Sequence, residues 1–200
     1  MFASIARKGT AGVSPATPAA AQCSSDNALI ARIARGDQLA MRALFARYQH
    51  TLYRWLRRIV RDDAALAEDL LSEVFLDVWR QAASFEGRSS VSTWLLAIAR
   101  HKALSARRRR SDAELDEEIA ASIPDSADDP ESSLLKKDQS VLLRQSLSTL
   151  SDKHREVLDL VYYHGKSVKE VAEITGTAEA TVKTRMFHAR RKLSDLLKAA

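Results

Sequence analysis

One cysteine, Cys23, stands in 200 residues, so neither a disulfide framework nor a thiolate metal site is available. The five histidines (His50, His101, His154, His164 and His188) lie far apart, without metal-ligand spacing, and no metal or cofactor is expected. Glycine (6) and proline (4) are scarce, and strand-like runs of β-branched residues are absent, which leaves an almost wholly helical chain. No apolar run approaches the roughly 20 residues that a membrane-spanning helix needs, so no membrane insertion is expected. A reducing cytosol fits these absences. No carboxylate cluster sits beside a basic groove, so an enzyme acting on nucleic acid is not expected.

What the chain has is charge, unevenly spread. The formal net charge is +5. Residues 26–110 hold 16 Lys/Arg against 9 Asp/Glu, residues 136–200 hold 13 against 8, and 111–135 carries 9 acids and no base. Two basic blocks around an acidic segment point to two surfaces for a polyanion, held apart by a stretch that avoids it. With 46% hydrophobic residues, both blocks can bury a core. The expected fold class is all-α: two small helical domains over 26–110 and 136–200, joined by a flexible acidic linker over 111–135. Residues 1–25 form an expected disordered tail. They hold no continuous apolar core, which argues against a secretory signal.

Order is expected from Ser25 or Asp26, which can cap the helix "NALIARIAR" before Gly36 stops it. Asp37 caps a long helix whose buried stripe is Met41, Leu44, Phe45, Tyr48, Leu52, Trp55, Leu56 and Ile59. The Asp62-Asp63 pair opens the next, with Leu66, Leu70, Leu71, Val74, Phe75 and Val78 inward. Gly87 is the expected hinge in "FEGRSS", and a fourth helix over about 92–109 buries Trp94, Leu95, Ile98 and Leu104. After the linker, helices resume near Lys136. Ser151 can cap "DKHREVLDLVYYH", which Gly165 ends.

The closing stretch "KSVKEVAEITGTAEATVKTRMFHARRKL" reads as a helix-turn-helix. Ser167 and Glu170 form a capping box, Ala172 lets the second helix cross closely, and Gly176 suits the turn's positive φ. Thr177 is the expected cap of the second helix. Val171, Val182 and Met186 form the shared core, with Ala189 and Leu193 continuing the inward face. That leaves Glu179, Thr181, Lys183, Thr184, Arg185 and His188 outward, where a major groove is read. Arg190, Arg191 and Lys192 are placed for phosphates.

Together with "AEDLLSEVFLDVWRQAASFEGRSSVSTWLLAIARHKALSARRRR", this motif resembles the bacterial extracytoplasmic-function (ECF, group 4) sigma factors. The resemblance covers nearly everything from Asp26 to Leu197. It implies a promoter-melting domain over 26–110, a domain for the −35 element over 136–200, and core RNA polymerase as partner, through the clamp helices of its largest subunit and its flap. It places Asp69, Ser72, Glu73, Phe75 and Asp77 against polymerase. It also gives Phe85, Arg88, Ser89, Ser90, Arg100, His101, Lys102, Arg107 and Arg108 to an unstacked base and the phosphates of the −10 strand. Glu179, Thr181, Lys183, Thr184, Arg185, His188, Arg190 and Arg191 fall to the −35 element. An anti-sigma factor is an implied partner. Relatives commonly have Gln at the position of Ser72, Asn at that of His101 and Arg near Val161, so contacts at these places should differ.

The competing reading is a free-standing transcription regulator that uses the closing helices alone. "DLLSEVFLDVW" and "STWLLAIARHKAL" discriminate, because such a regulator has no need of them.

Overall fold

The computed structural model describes residues 25–116, 147 and 149–198. The expected tail over 1–24, most of the linker and the helix expected after Lys136 lie outside the described residues. Among those described, all regular structure is helical: α1 (Asp26–Ile33), α2 (Gln38–Ile59), α3 (Ala64–Gln81), α4 (Val91–Asp116), α5 (Asp152–Leu158), α6 (Val168–Thr175) and α7 (Glu179–Lys198). A single 3-10 turn (Ala82–Ser84) follows α3, and a π-helical turn (Asp159–Tyr163) prolongs α5. No described helix is long and apolar enough to cross a membrane.

Short polar side chains set the starts. The Ser25 hydroxyl accepts from the Ala28 amide at 3.3 Å. Asp37 Oδ1 accepts from the amides of Leu39 and Ala40 at 2.9 and 3.1 Å, and Asp63 from that of Leu66 at 3.0 Å. Each satisfies amides that an α-helix leaves without partners in its first turn. Between α2 and α3, Arg61 and Asp62 both take positive φ, 57° and 66°. That reversal lets α3 fold back along α2.

The stripes then pack as their spacing requires. Leu44, Leu52, Trp55 and Leu56 of α2 meet Leu70, Val74 and Val78 of α3 and Leu95, Leu96 and Ala99 of α4, all nearly inaccessible. In α4 the inward positions beyond Leu96 are alanines: Ala99, Ala103 and Ala106 are buried, whereas Leu104 is 36% exposed. Small residues allow the close helix approach here, and Leu104 falls one position off the stripe. Phe45 is likewise partly exposed, its ring tilted against Phe75 at 4.7 Å. α4 also runs to Asp116, six residues into the segment expected as linker.

In the second half, Gly176 takes φ 63° and turns α6 into α7, as the Thr-Gly-Thr sequence requires. α7 begins after Ala178, not Thr177. The Thr177 hydroxyl lies instead 2.9 Å from that of Thr175, so the residue serves the turn and not the cap. The two halves are not separate: α4 packs along α6, and one apolar core runs from Trp55 and Leu95 to Val157, Leu160 and Val171.

Candidate nucleic-acid interface

On α7, Val182, Met186 and Ala189 are buried, which turns Glu179, Thr181, Lys183, Thr184 and His188 to solvent. Arg185 is half-buried at the edge of that row. The Thr184 hydroxyl donates to the Ala180 carbonyl at 3.0 Å, so its methyl group faces outward. Arg190 and Arg191 follow on the same side, and Lys192 turns back to donate to the Thr149 carbonyl at 2.7 Å. All eight residues expected at a −35 element thus lie on a single helix, off its buried stripe. Two aromatics escaped the sequence reading: Phe187 and Tyr162 are 62% and 66% exposed, and Arg190 lies over the Tyr162 ring. Tyr162 sits in the π-helical turn, whose extra residue shifts the helical phase, so spacing alone could not have placed it.

The residues expected at the −10 strand divide. Phe85 and Trp94 are half-buried and packed on each other, ring centroids 4.8 Å apart, next to the loop of Arg88, Ser89 and Ser90. Arg88 is exposed and paired with Glu86. His101 and Arg108 are exposed. Lys102 is half-buried and reaches Asp77 at 2.9 Å and Glu73 at 3.2 Å. Burial alone would lower its pKa, yet these two carboxylates leave it raised. The lysine thereby fixes the acidic face of α3, on which Asp69, Ser72 and Glu73 are exposed. Phe75 does not belong to that face, because it is 5% exposed and part of the core. The apolar groups beside the acids are Leu76 and Trp79, 53% and 38% exposed.

Arg100, Arg107 and Ser90 are engaged across the seam between the halves. Arg100 binds Glu156 with two hydrogen bonds of 2.6 and 3.3 Å. Arg107 binds Asp152 at 3.0 Å, and Arg61 lies 3.5 Å from the same carboxylate. Arg58 pairs with Asp159 and packs on the Tyr163 ring, and Arg54 donates to the Tyr163 hydroxyl. Glu170 Oε1 accepts from the Thr93 hydroxyl at 2.7 Å, and Lys166 donates to Ser92 at 2.6 Å and Thr93 at 3.0 Å. Burial works against the Glu170 charge. The Ser167 amide, the Thr93 and Ser167 hydroxyls and Lys166 nonetheless bring its pKa down to about 2.

His164 fills the seam's interior. Its ring meets Trp55 edge-on at 5.3 Å, and its side chain is 2% exposed. A cavity of about 390 Å³ beside it is lined by Tyr48, Thr51, Leu52, Ser92, Leu96, Tyr163 and Lys166. Burial, with Arg58 and Lys166 nearby, pushes its pKa down to about 4; Asp159, 3.5 Å away, is already neutralised by Arg58. A histidine held neutral in the fold but able to protonate near 6.5 when unfolded contributes fully above that pH and less as pH falls toward 4. The folded state should therefore lose about 1–2 kcal/mol between pH 7 and 5. His164→Phe keeps a ring on Trp55 and has nothing to titrate, so urea titrations should show a shallower loss. Equal losses in both proteins would remove His164 as the source.

The comparisons with known proteins agree with this geometry. Residues 44–113 match the Sigma-70 region 2 family and residues 140–193 the Sigma-70 region 4 family. The chain is 32% identical over 180 residues to the ECF RNA polymerase sigma factor SigK of Mycobacterium ulcerans, covering 87% of this chain and 94% of that one. It is also 32% identical to the RNA polymerase sigma-H factor of Pseudomonas aeruginosa, over 86% and 93% of the two chains. Among solved structures, the sigma factor RpoE of Bartonella quintana in complex with the anti-sigma factor NepR superposes with a TM-score of 0.65 at 28% identity, over 78% of this chain and 96% of that one. CnrH in complex with the cytosolic domain of CnrY gives 0.62 at 27%, over 88% and 99%. With both regions present in order and full-length relatives above 30% identity, the chain belongs to the ECF RNA polymerase sigma factors, the subunits that direct polymerase to its promoters.

Proposed function

We propose that this sigma factor grips its promoter in two places while docked on polymerase through a third. The acidic face of α3, with Asp69, Ser72, Glu73 and Asp77, meets the clamp helices of the largest subunit, and Leu76 and Trp79 supply apolar contact beside it. The second domain meets the flap and lays α7 in the major groove of the −35 element. There Glu179, Thr181, Lys183, Thr184, Arg185 and His188 face the base edges, and Arg190 and Arg191 the phosphates. The segment from Phe85 to Arg108 holds the opened −10 strand: the Phe85–Trp94 pair offers an aromatic wall for an extruded base, and the arginines take the phosphates. Lys102 serves the polymerase face instead of the strand. The protein has no chemistry of its own and works in the cytoplasm. An anti-sigma factor is an expected partner, in keeping with the superposable sigma factor RpoE of Bartonella quintana, solved with the anti-sigma factor NepR.

The observation that carries this reading is the pairing, in one chain, of an outward recognition row on α7 with an acidic docking face on α3. A free-standing regulator uses only the first. Arg185→Ala should weaken −35 binding by about 1–3 kcal/mol and relax preference at one base pair. Selection from a promoter library by polymerase loaded with each protein reads both effects. An unchanged preference would remove Arg185 from the readout set.

A further inference from the structure

The fold of the second half brings two histidines together from different helices. His154 stands on α5 and His188 on α7, with ring centroids 6.4 Å apart and planes tilted by 38°. His188 is exposed in the outward row of α7, and His154 is half-buried beside it. Most of the charges around the pair are positive. On α7, Arg185, Arg191 and Lys192 stand about one turn from His188, and on α5 Lys153 and Arg155 flank His154. Lys192 donates to the Thr149 carbonyl, and Arg155 to those of Leu147 and Leu150. The acids by spacing are Asp152, which Arg107 and Arg61 hold, and Asp195, exposed two turns beyond His188. Burial, the facing imidazole, Arg185 and Lys192 push the pKa of His154 down. The free protein thus opposes charge on the pair. A duplex in contact with the outward row of α7 reverses that, because it brings phosphates and base acceptors to the same place.

We infer that binding of the −35 element is proton-linked: His154 and His188 form one site that takes up protons as the DNA arrives. The uptake belongs to the pair, since a charge on either ring opposes a charge on the other. Linkage is reciprocal, so the DNA is held more tightly as pH falls through the range in which imidazole titrates. This inference rests on the reading of α7 as the −35 helix. It adds His154, which lies behind the row expected to meet the bases, to the groups that set the strength of that contact.

Polymerase assembled with the full chain, bound to a fluorescein-labelled duplex carrying the selected promoter, tests it. Anisotropy is read from pH 8 to pH 6 at constant ionic strength. His154→Gln with His188→Gln is compared with the parent, and the groups of polymerase, His101 and His164 cancel in the ratio of the two affinities. That ratio should change about tenfold over the range in favour of the parent at low pH. Each single variant should show a shallower dependence than the parent. His188→Lys, which carries its charge throughout, should bind at pH 8 about as tightly as the parent does at pH 6, with most of the dependence gone. A ratio that stays constant would overturn the linkage. A His154→Gln profile as steep as the parent's would leave His188 acting alone and overturn the shared site. A duplex with a scrambled −35 element reports separately on the underlying reading. Equal binding of both duplexes by the parent overturns α7 as the −35 helix, whereas a preference for the promoter with a constant ratio overturns only the proton linkage.

Discussion

Trp55→Ala is expected to destabilise the protein by about 3–5 kcal/mol, the range for emptying a large aromatic site in a core. Trp55 is 1% exposed and sits where α2, α4 and the second half converge. Its ring is the surface on which His164 rests, so the cavity opens at the seam, not within one bundle. The loss should therefore appear both as a lower urea midpoint and as a weaker association of the two halves. Trp55→Phe separates volume from polarity. The indole Nε1 has no hydrogen-bond partner among the described residues, and an unpaired buried donor is itself costly. Phenylalanine removes that donor while leaving a smaller void, and the loss should be well under half that of alanine. Similar losses for both variants would mean that the indole nitrogen is satisfied after all.

Asp69→Lys with Glu73→Lys is expected to weaken binding to core polymerase on the order of 100-fold, because like charges brought together at an interface cost several kcal/mol. Both side chains are exposed, and exposed substitutions away from special features change stability little. Glu73 shares Lys102 with Asp77, and Asp77 keeps the lysine when Glu73 is lost. Circular dichroism should show the fold unchanged. Competition against labelled parent protein for core polymerase reads the effect, and equal competition by the reversed variant would move the docking face elsewhere.

Much of this is legible in the sequence. Helix starts were written in Ser25, Asp37, Asp63 and Ser167, because a short polar side chain ahead of an apolar stripe has few other uses. The Gly176 turn and the outward row of α7 followed from the spacing of Val182, Met186 and Ala189. Periodicity finds the stripe but not its partner, so it puts Leu104 inside where alanines let the helices approach; it rightly turns Phe75 inward, and only the resemblance sets that residue at a docking face it underlies. Thr177 and Ala178 are both plausible starts for α7, and only the Thr175 hydroxyl decides between them. The seam was least legible. The row Asp152, Glu156 and Asp159 is visible as helical spacing, yet nothing local says that it faces Arg107, Arg100 and Arg58. The partners of Lys102 are no more legible, since Asp77 and Glu73 lie on the preceding long helix, α3.

The most direct measurement is promoter opening, read as permanganate reactivity of unpaired thymines on a library of duplex promoters, with core polymerase and this protein supplied singly and together. Reactive thymines confined to a −10 segment, on promoters that share a two-part sequence and only when both components are present, are the expected result. Tight sequence-specific binding by the protein alone, with no opening when polymerase is added, would contradict it and leave α7 as the reading head of a regulator that works by itself.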